Sequence, residues 1–279
     1  MAGLNSKRPQ ILLTNDDGIQ AHGLWAAAEA LSSLGYVTVC APREQYSGAG
    51  RSMPHRSDGV LSEEQVTIHG LTWKVYAVGG SPAQAVQHGV LELMPRRPDL
   101  VVAGINHGEN LTVSVTISGT VGAALEGASF GVPAMAVSLE MPQQYAFSNP
   151  EDIDFTAGAH FTSLFAGMLL QGLGLHDLDV LKVDIPSGAT PQTPWRVTRL
   201  SRSKYYVPVS PGRERLSDSA PVGYEISLKP EELEVDSDVY VLRMAREISV
   251  TPMSLDLTSR VDLGELEHNL RQQPDTRLR

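Results

Sequence analysis

Two adjacent carboxylates, Asp16 and Asp17, follow the apolar run Ile11-Leu12-Leu13 across Thr14 and Asn15, and Gly18 comes directly after them. Neighbouring carboxylates repel each other, so one is protonated, a lysine or arginine intervenes, or a hard cation lies between them. No basic residue stands close by in the chain, and the cation is the preferred reading. Gly18 lets the backbone turn sharply behind the acids. The competing reading is an acidic, solvated turn.

Three later stretches carry groups that could work beside this pair. Ser47 sits in the glycine-rich stretch Gln45-Tyr46-Ser47-Gly48-Ala49-Gly50-Arg51-Ser52 and could offer a hydroxyl oxygen to a metal, or simply belong to a surface loop. In Gly104-Ile105-Asn106-His107-Gly108-Glu109-Asn110 an asparagine oxygen is a competent ligand for a hard cation, although Asn also favours turns for local reasons. His107 lies in the same turn. Ser118-Gly119-Thr120 opens a helical pattern, and free amides at such a start make either an anion site or an ordinary Ser cap.

The elements that must position these groups alternate between strand and helix. Apolar runs at Ile11–Leu13, 36–41, 99–103, 133–138 and 180–186 read as buried strands of a mostly parallel sheet. Helical spacing runs over 23–34, from Pro82 behind a Ser81 cap toward Pro95, from Ser118, and over 152–173 with Phe155, Ala159, Phe161, Leu164, Phe165 and Met168 toward the core. A hairpin is expected across 66–78 with its turn at His69-Gly70. In an open α/β sheet, ligands bind beyond the carboxyl ends of the strands, where the acid pair, the Ser47 loop and the Asn106 turn all fall.

Beyond 186 prolines multiply, and alternating stretches at 196–200 and 222–228 suggest hairpins. The chain is therefore read as a three-layer α/β core over 9–186 and a β-rich extension over 187–279 that carries oligomer contacts and ends in a short exposed helix. Hairpins with little room to bury an apolar face against the core imply at least a dimer. Arg199, Arg202 and Lys204 beside Tyr205 and Tyr206 read as a solvated hairpin face.

Composition narrows the function. With 42% apolar residues in 279 the chain supports a sizeable core, and a net charge of −10 argues against DNA as the main partner. The single cysteine, Cys40, cannot form an internal disulfide, which fits a reducing cytoplasm. No signal-peptide pattern and no apolar run of transmembrane length occurs, so no membrane association is expected. Zinc-type spacings, a nucleophile elbow and a Walker-type phosphate loop are absent.

Taken together, Thr14-Asn15-Asp16-Asp17-Gly18-Ile19, Ser47-Gly48, Gly104-Ile105-Asn106-His107-Gly108-Glu109-Asn110 and Ser118-Gly119-Thr120-Val121 resemble, in that order, the SurE (survival protein) family of metal-dependent nucleotidases. The resemblance is close over 9–140 and looser at 235–238 and 249–252. It implies a Rossmann-like core with a C-terminal β-hairpin extension that joins subunits as a homodimer or homotetramer. It implies one divalent cation, Mg2+ or Mn2+, held by Asp16, Asp17, Ser47 and Asn106, with Ser118, Gly119 and Thr120 facing phosphate and Asn110 close by. Two departures bear on substrate preference: Gln84 and Ala85 stand where the family usually has an acid and a cysteine, and Leu111-Thr112 follows Asn110 where glycine is usual.

The expected activity is hydrolysis of nucleoside 5′-monophosphates, with 3′-monophosphates as a further candidate, by in-line attack of an activated water. Asp16, Asp17 and Asn106 are its catalytic residues, and direct attack by either aspartate is the mechanistic alternative. A branched side chain at Gly119 is expected to obstruct phosphate more than the cation. The reading from another class is a non-catalytic, magnesium-binding phosphoacceptor switch, which needs a third aspartate after the third parallel strand and a late lysine.

Overall fold

Strand β1 (Gln10–Thr14) is buried on both faces because its side chains alternate between two cores: Ile11 and Leu13 pack into one, Leu12 into the other. The computed structural model describes residues 8–68, 70–142, 145 and 153–272. Around β1 runs a nine-stranded sheet that also contains β2 (Tyr36–Pro42), β3 (Leu61–Ile68), β4 (Leu71–Val78), β5 (Leu100–His107), β6 (Ala134–Leu139), β7 (Val180–Ile185), β8 (Trp195–Val197) and β11 (Ile248–Met253). Its order is β3-β4-β2-β1-β5-β6-β7-β11-β8, with β3 against β4 and β11 against β7 antiparallel and the other neighbours parallel.

Helices α1 (His22–Ser32) and α4 (Thr156–Gln171) cover the face of Ile11 and Leu13. Helices α2 (Pro82–His88) and α3 (Gly119–Ser129) cover the face of Leu12. This is the expected three-layer, Rossmann-like arrangement. From β1 the chain builds outward through β2 on one side and through β5, β6 and β7 on the other, so the strand order reverses between β1 and β5. That reversal opens a crevice at the carboxyl ends of those two strands.

Several expectations change in detail. The Asn106 segment is not a free turn: β5 continues through His107, with a register shift between Ala103 and Asn106. Helix α2 stops at His88 and widens into a π-helical turn over Gly89–Leu93, at a point where a Cβ on Gly89 would lie 2.6 Å from Leu12. Helix α4 begins at Thr156, and the earlier start at Asp152 lies outside the described residues. The hairpin register joins Ile68 to Leu71 as expected, while His69 itself lies outside the described residues.

The stretch at 196–200 forms no hairpin. Strand β8 pairs in parallel with β11, and β11 covers the otherwise open edge of β7 with Ile248 and Val250 buried. Half of the strands beyond residue 187 therefore belong to the core sheet. The remaining two, β9 (Tyr206–Val209) and β10 (Gly223–Ile226), make a separate antiparallel hairpin. The chain then passes through a short helix α5 (Asp238–Tyr240) before β11 and ends, as expected, in an exposed helix α6 (Leu263–Gln272). Among the described residues no helix is long and apolar enough to cross a membrane.

Candidate metal and phosphate site

Three loops meet at the crevice and are stitched together by main-chain bonds. After β1 the Asn15 amide donates to Gly18 O at 2.9 Å, and Gly18 takes φ +96°, which strains any residue with a side chain, while a Cβ there would stand a tight 3.2 Å from the Glu44 carbonyl carbon. Tyr46 N donates to Asp16 O at 2.7 Å and thereby ties the Ser47 loop to the acids. Gly50 N donates to Ile117 O at 2.9 Å and ties the same loop to the start of α3. His107 N donates to Asp17 Oδ2 at 2.9 Å and brings in the end of β5.

Asp16 is buried, and its carboxylate accepts a short hydrogen bond from Thr120 Oγ1. Asp17 is half-buried and accepts from Gln45 Nε2 at 3.2 Å in addition to the His107 amide. Among the described residues no lysine, arginine or histidine side chain forms an ion pair with either acid. Burial, and then the charge of Asp17 beside it, pushes Asp16 up to about 7 against the pull of Thr120. Burial likewise pushes Asp17 up to about 6, opposed by the bonds from His107 and Gln45. Both acids therefore hold their protons more tightly than an exposed aspartate does.

The donor set suits a hard cation. Beside the two carboxylates, Thr14 Oγ1 and Asn15 Oδ1 are buried oxygens with no hydrogen-bond partner among the described residues. No group of three or more His, Cys, Asp or Glu side chains converges among those residues, so neutral oxygens must complete any coordination. Asp16, Ser47, Asn106, Asn110 and Ser118 line one cavity of about 440 Å³. Asp17 is not among its lining residues and is joined to one of them, His107, by accepting from the His107 main-chain N–H. His107 is itself buried, its ring 5.6 Å from that of Phe155.

The start of α3 differs from expectation. Ser118 is the cap, its Oγ accepting from Val121 N at 3.1 Å, and it reaches the cavity. Thr120 is wholly buried and serves Asp16, not the open space. Gly119 lies against the acid as well: a Cβ there would stand 2.7 Å from Asp16 Cβ and Oδ2. A branched side chain at 119 thus displaces a carboxylate first, which reverses the expectation that it would obstruct phosphate more than the cation.

Sequence reasoning missed the opposite wall. Tyr206, Pro208, Val222, Tyr224 and Ile226 of the β9–β10 hairpin close the cavity with apolar surface. The hairpin is held there because Tyr206 Oη donates to Glu109 O at 2.8 Å and Tyr205 Oη to Glu109 Oε1 at 2.7 Å, with Arg243 bonded to Tyr205 Oη at 2.8 Å. Tyr205 is 1% exposed, so the tyrosine pair is no solvated face. Of its basic neighbours Arg199 pairs with Asp236 at 2.8 Å. The paired tyrosines were the available signal, since two adjacent aromatics with polar tips suit an interior that offers acceptors.

Comparison with known proteins agrees with this geometry. The family model described as survival protein SurE matches residues 11–207. The chain is 38% identical over 263 residues to the 5′-nucleotidase SurE of Thermococcus gammatolerans, covering 94% of this chain and 96% of that one. It is 40% identical over 268 residues to the 5′-nucleotidase SurE of Archaeoglobus fulgidus, covering 92% and 96%. The crystal structure of the SurE protein from Aquifex aeolicus superposes with a TM-score of 0.71 at 29% identity, over 94% of this chain and 100% of that chain. With its acid pair, glycine loop and Ser-Gly-Thr helix start gathered at one sheet crevice, the chain belongs to the survival protein SurE family.

Proposed function

We propose that this protein is a divalent-metal-dependent 5′-nucleotidase that converts nucleoside monophosphates and water to nucleosides and inorganic phosphate. The observation that carries the reading is one cavity with two unlike walls: Asp16, of an acid pair with no ion-pair partner among the described residues, beside Ser47, Asn106 and Ser118 on one side, and a tyrosine-lined hairpin on the other. Asp16, Asp17, Ser47 and Asn106 would hold Mg2+ or Mn2+. When bound, such an ion supplies Lewis acidity toward phosphoryl oxygens and water at neutral pH.

The chain's own residues do the positioning. Ser118 and the Gly119 amide at the α3 N-terminus, with the Asn110 side chain, receive phosphoryl oxygens, and the helix dipole there favours negative charge. Thr120 fixes the carboxylate of Asp16, while the His107 amide and Gln45 fix that of Asp17. With both oxygens of Asp17 accepting hydrogen bonds and Asp16 held from α3, water is the attacking group in preference to either carboxylate. Across the cavity Tyr224, packed edge-on to Tyr206 at 5.4 Å, offers a face for the base.

Nothing favours the phosphoacceptor switch. The place of its third aspartate is taken by Asn106 at the end of β5, and Lys182 is sealed against Asp184. A homodimer or larger assembly fits the exposed apolar residues Trp195, Val197 and Val222 on the edge strand and hairpin, and light scattering that gives a monomer mass would remove it. The activity is tested by phosphate release from nucleoside monophosphates with added Mn2+, with and without chelator. Turnover that needs the metal supports the assignment, and turnover indifferent to chelator contradicts it.

A further inference from the structure

Behind the cavity lies a second charged cluster. Lys182 and Asp184 stand two residues apart on one face of β7, and Asp238 opens α5; all three are 0% exposed. The Lys182 ammonium has three acceptors: Asn110 O at 2.8 Å, Asp184 through a short bond, and Asp238 Oδ2 at 3.3 Å. These account for all three of its hydrogens. Asp184 Oδ1 in turn accepts from Asn110 N at 2.8 Å.

Both main-chain polar groups of Asn110 are thus held by this pair, while its side chain donates to Ser138 Oγ at 2.9 Å and lines the cavity. Two residues on, Thr112 takes φ +61°, and its N–H donates to Asp238 Oδ2 at 2.8 Å. The 3-10 helix Thr112–Ile117 that follows delivers Ser118. Asp238 is fixed from its other side by Ser201 N at 3.1 Å and Val239 N at 2.9 Å. The sheet register adds a direct row from Asn106 through Ser138 to Asp184.

We propose that Lys182, with Asp184 and Asp238, is a positioning unit for the phosphate end of the site, setting the separation between Asn110 and the α3 start through the backbone of residues 110–112. None of the three faces the cavity. The proposal rests on the nucleotidase reading, in which Asn110 and Ser118 receive phosphate. Misplacing either should weaken phosphate contacts without touching the acid pair.

The test is steady-state kinetics on AMP with saturating Mn2+, together with inhibition by inorganic phosphate, for wild type, Lys182→Met, Asp184→Asn, Asn110→Ala and the doubles with Asn110→Ala. Lys182→Met should raise KM and the phosphate inhibition constant by about tenfold, and Asp184→Asn by about threefold, with the Mn2+-induced melting shift unchanged. Added to Asn110→Ala, either change should raise KM by a smaller factor than it does alone, because part of its effect passes through the Asn110 side chain and the rest through the α3 start. Should Lys182→Met not accumulate as folded protein, Asp184→Asn decides, since its amide oxygen still accepts the Asn110 N–H. Wild-type KM and phosphate inhibition in a folded variant, or full additivity with Asn110→Ala, would overturn the positioning role. A wild-type enzyme that releases no phosphate from AMP would instead remove the nucleotidase reading.

Discussion

Two acidic clusters, one following β1 and one formed by β7 with α5, differ in how their charge is balanced inside the fold. Asp184 and Asp238 carry their own counter-ion, Lys182, and each is bonded to main-chain amides of the surrounding segments. Asp16 and Asp17 have neutral donors only and follow Thr14 and Asn15, whose side-chain oxygens have no partner among the described residues, and Asp16 lines a cavity. A cluster that completes itself sets the shape of its surroundings. One that does not is neutralised by protons or, on the function proposed above, by a cation drawn from solution.

The contrast breaks most plainly in activity. Asp17→Asn keeps the shape and removes one charge from the incomplete cluster, so turnover should fall by roughly three orders of magnitude at limiting metal. Phosphate release measured against Mn2+ concentration checks this, with partial recovery expected at high metal. Lys182→Met removes the counter-ion from the complete cluster and leaves two carboxylates facing each other in the interior. It should cost about 3–5 kcal/mol of stability, read from denaturant midpoints, whether or not metal is present.

Gly119→Ala should join the two halves of the site in failure. Its Cβ would meet Asp16 at 2.7 Å, so both the Mn2+-induced melting shift and activity should drop, the latter by about a hundredfold. Loss of phosphate inhibition with an intact metal shift would show instead that the small residue serves the substrate.

The pH response separates the clusters more gently. Asp16 and Asp17 are pushed up to about 7 and 6 from an ordinary 3.8, so in the fold they bind protons more tightly than in the unfolded chain. Their neutral forms stabilise the fold fully below pH 4, and that contribution is lost as pH rises through 6 to 7. Metal-free protein should therefore melt higher at pH 5 than at pH 8, and Mn2+ should narrow the gap. Asp184, pushed up to about 6 mainly by burial, adds a slope of the same sign that metal should leave alone. The smallest effect is expected at the hairpin. Tyr224→Ala should raise KM for AMP by about fivefold to tenfold, the scale of one base–aromatic contact, and leave ribose 5-phosphate unaffected.

What could be read from the chain follows the same division. The core was legible because Ile11, Leu12, Leu13 and their counterparts in β5 and β6 are apolar without interruption, and only a sheet covered on both faces suits that pattern. The acid pair was legible because its anomaly is local, two charges and no base within a few residues. The roles of β8 and β11 were not, since short alternating stretches do not say which edge they will pair with. Neither was the hairpin wall, because Tyr206 and Tyr224 meet the acids only through folding over more than a hundred and eighty residues, on the order of a whole domain. Lys182 and Asp184 left a trace that could be used elsewhere: opposite charges two apart in an otherwise apolar strand share one face and can pair in the interior.

The most direct test of the account is thermal melting of wild type and Asp17→Asn in metal-free buffer at pH 8, repeated with Mn2+. If Asp16 and Asp17 lack only an external cation, relieving their repulsion should raise the melting temperature of Asp17→Asn above that of wild type without metal, and Mn2+ should then stabilise wild type much more than the variant. A wild type that gains nothing from Mn2+, or a variant that gains as much, would contradict it.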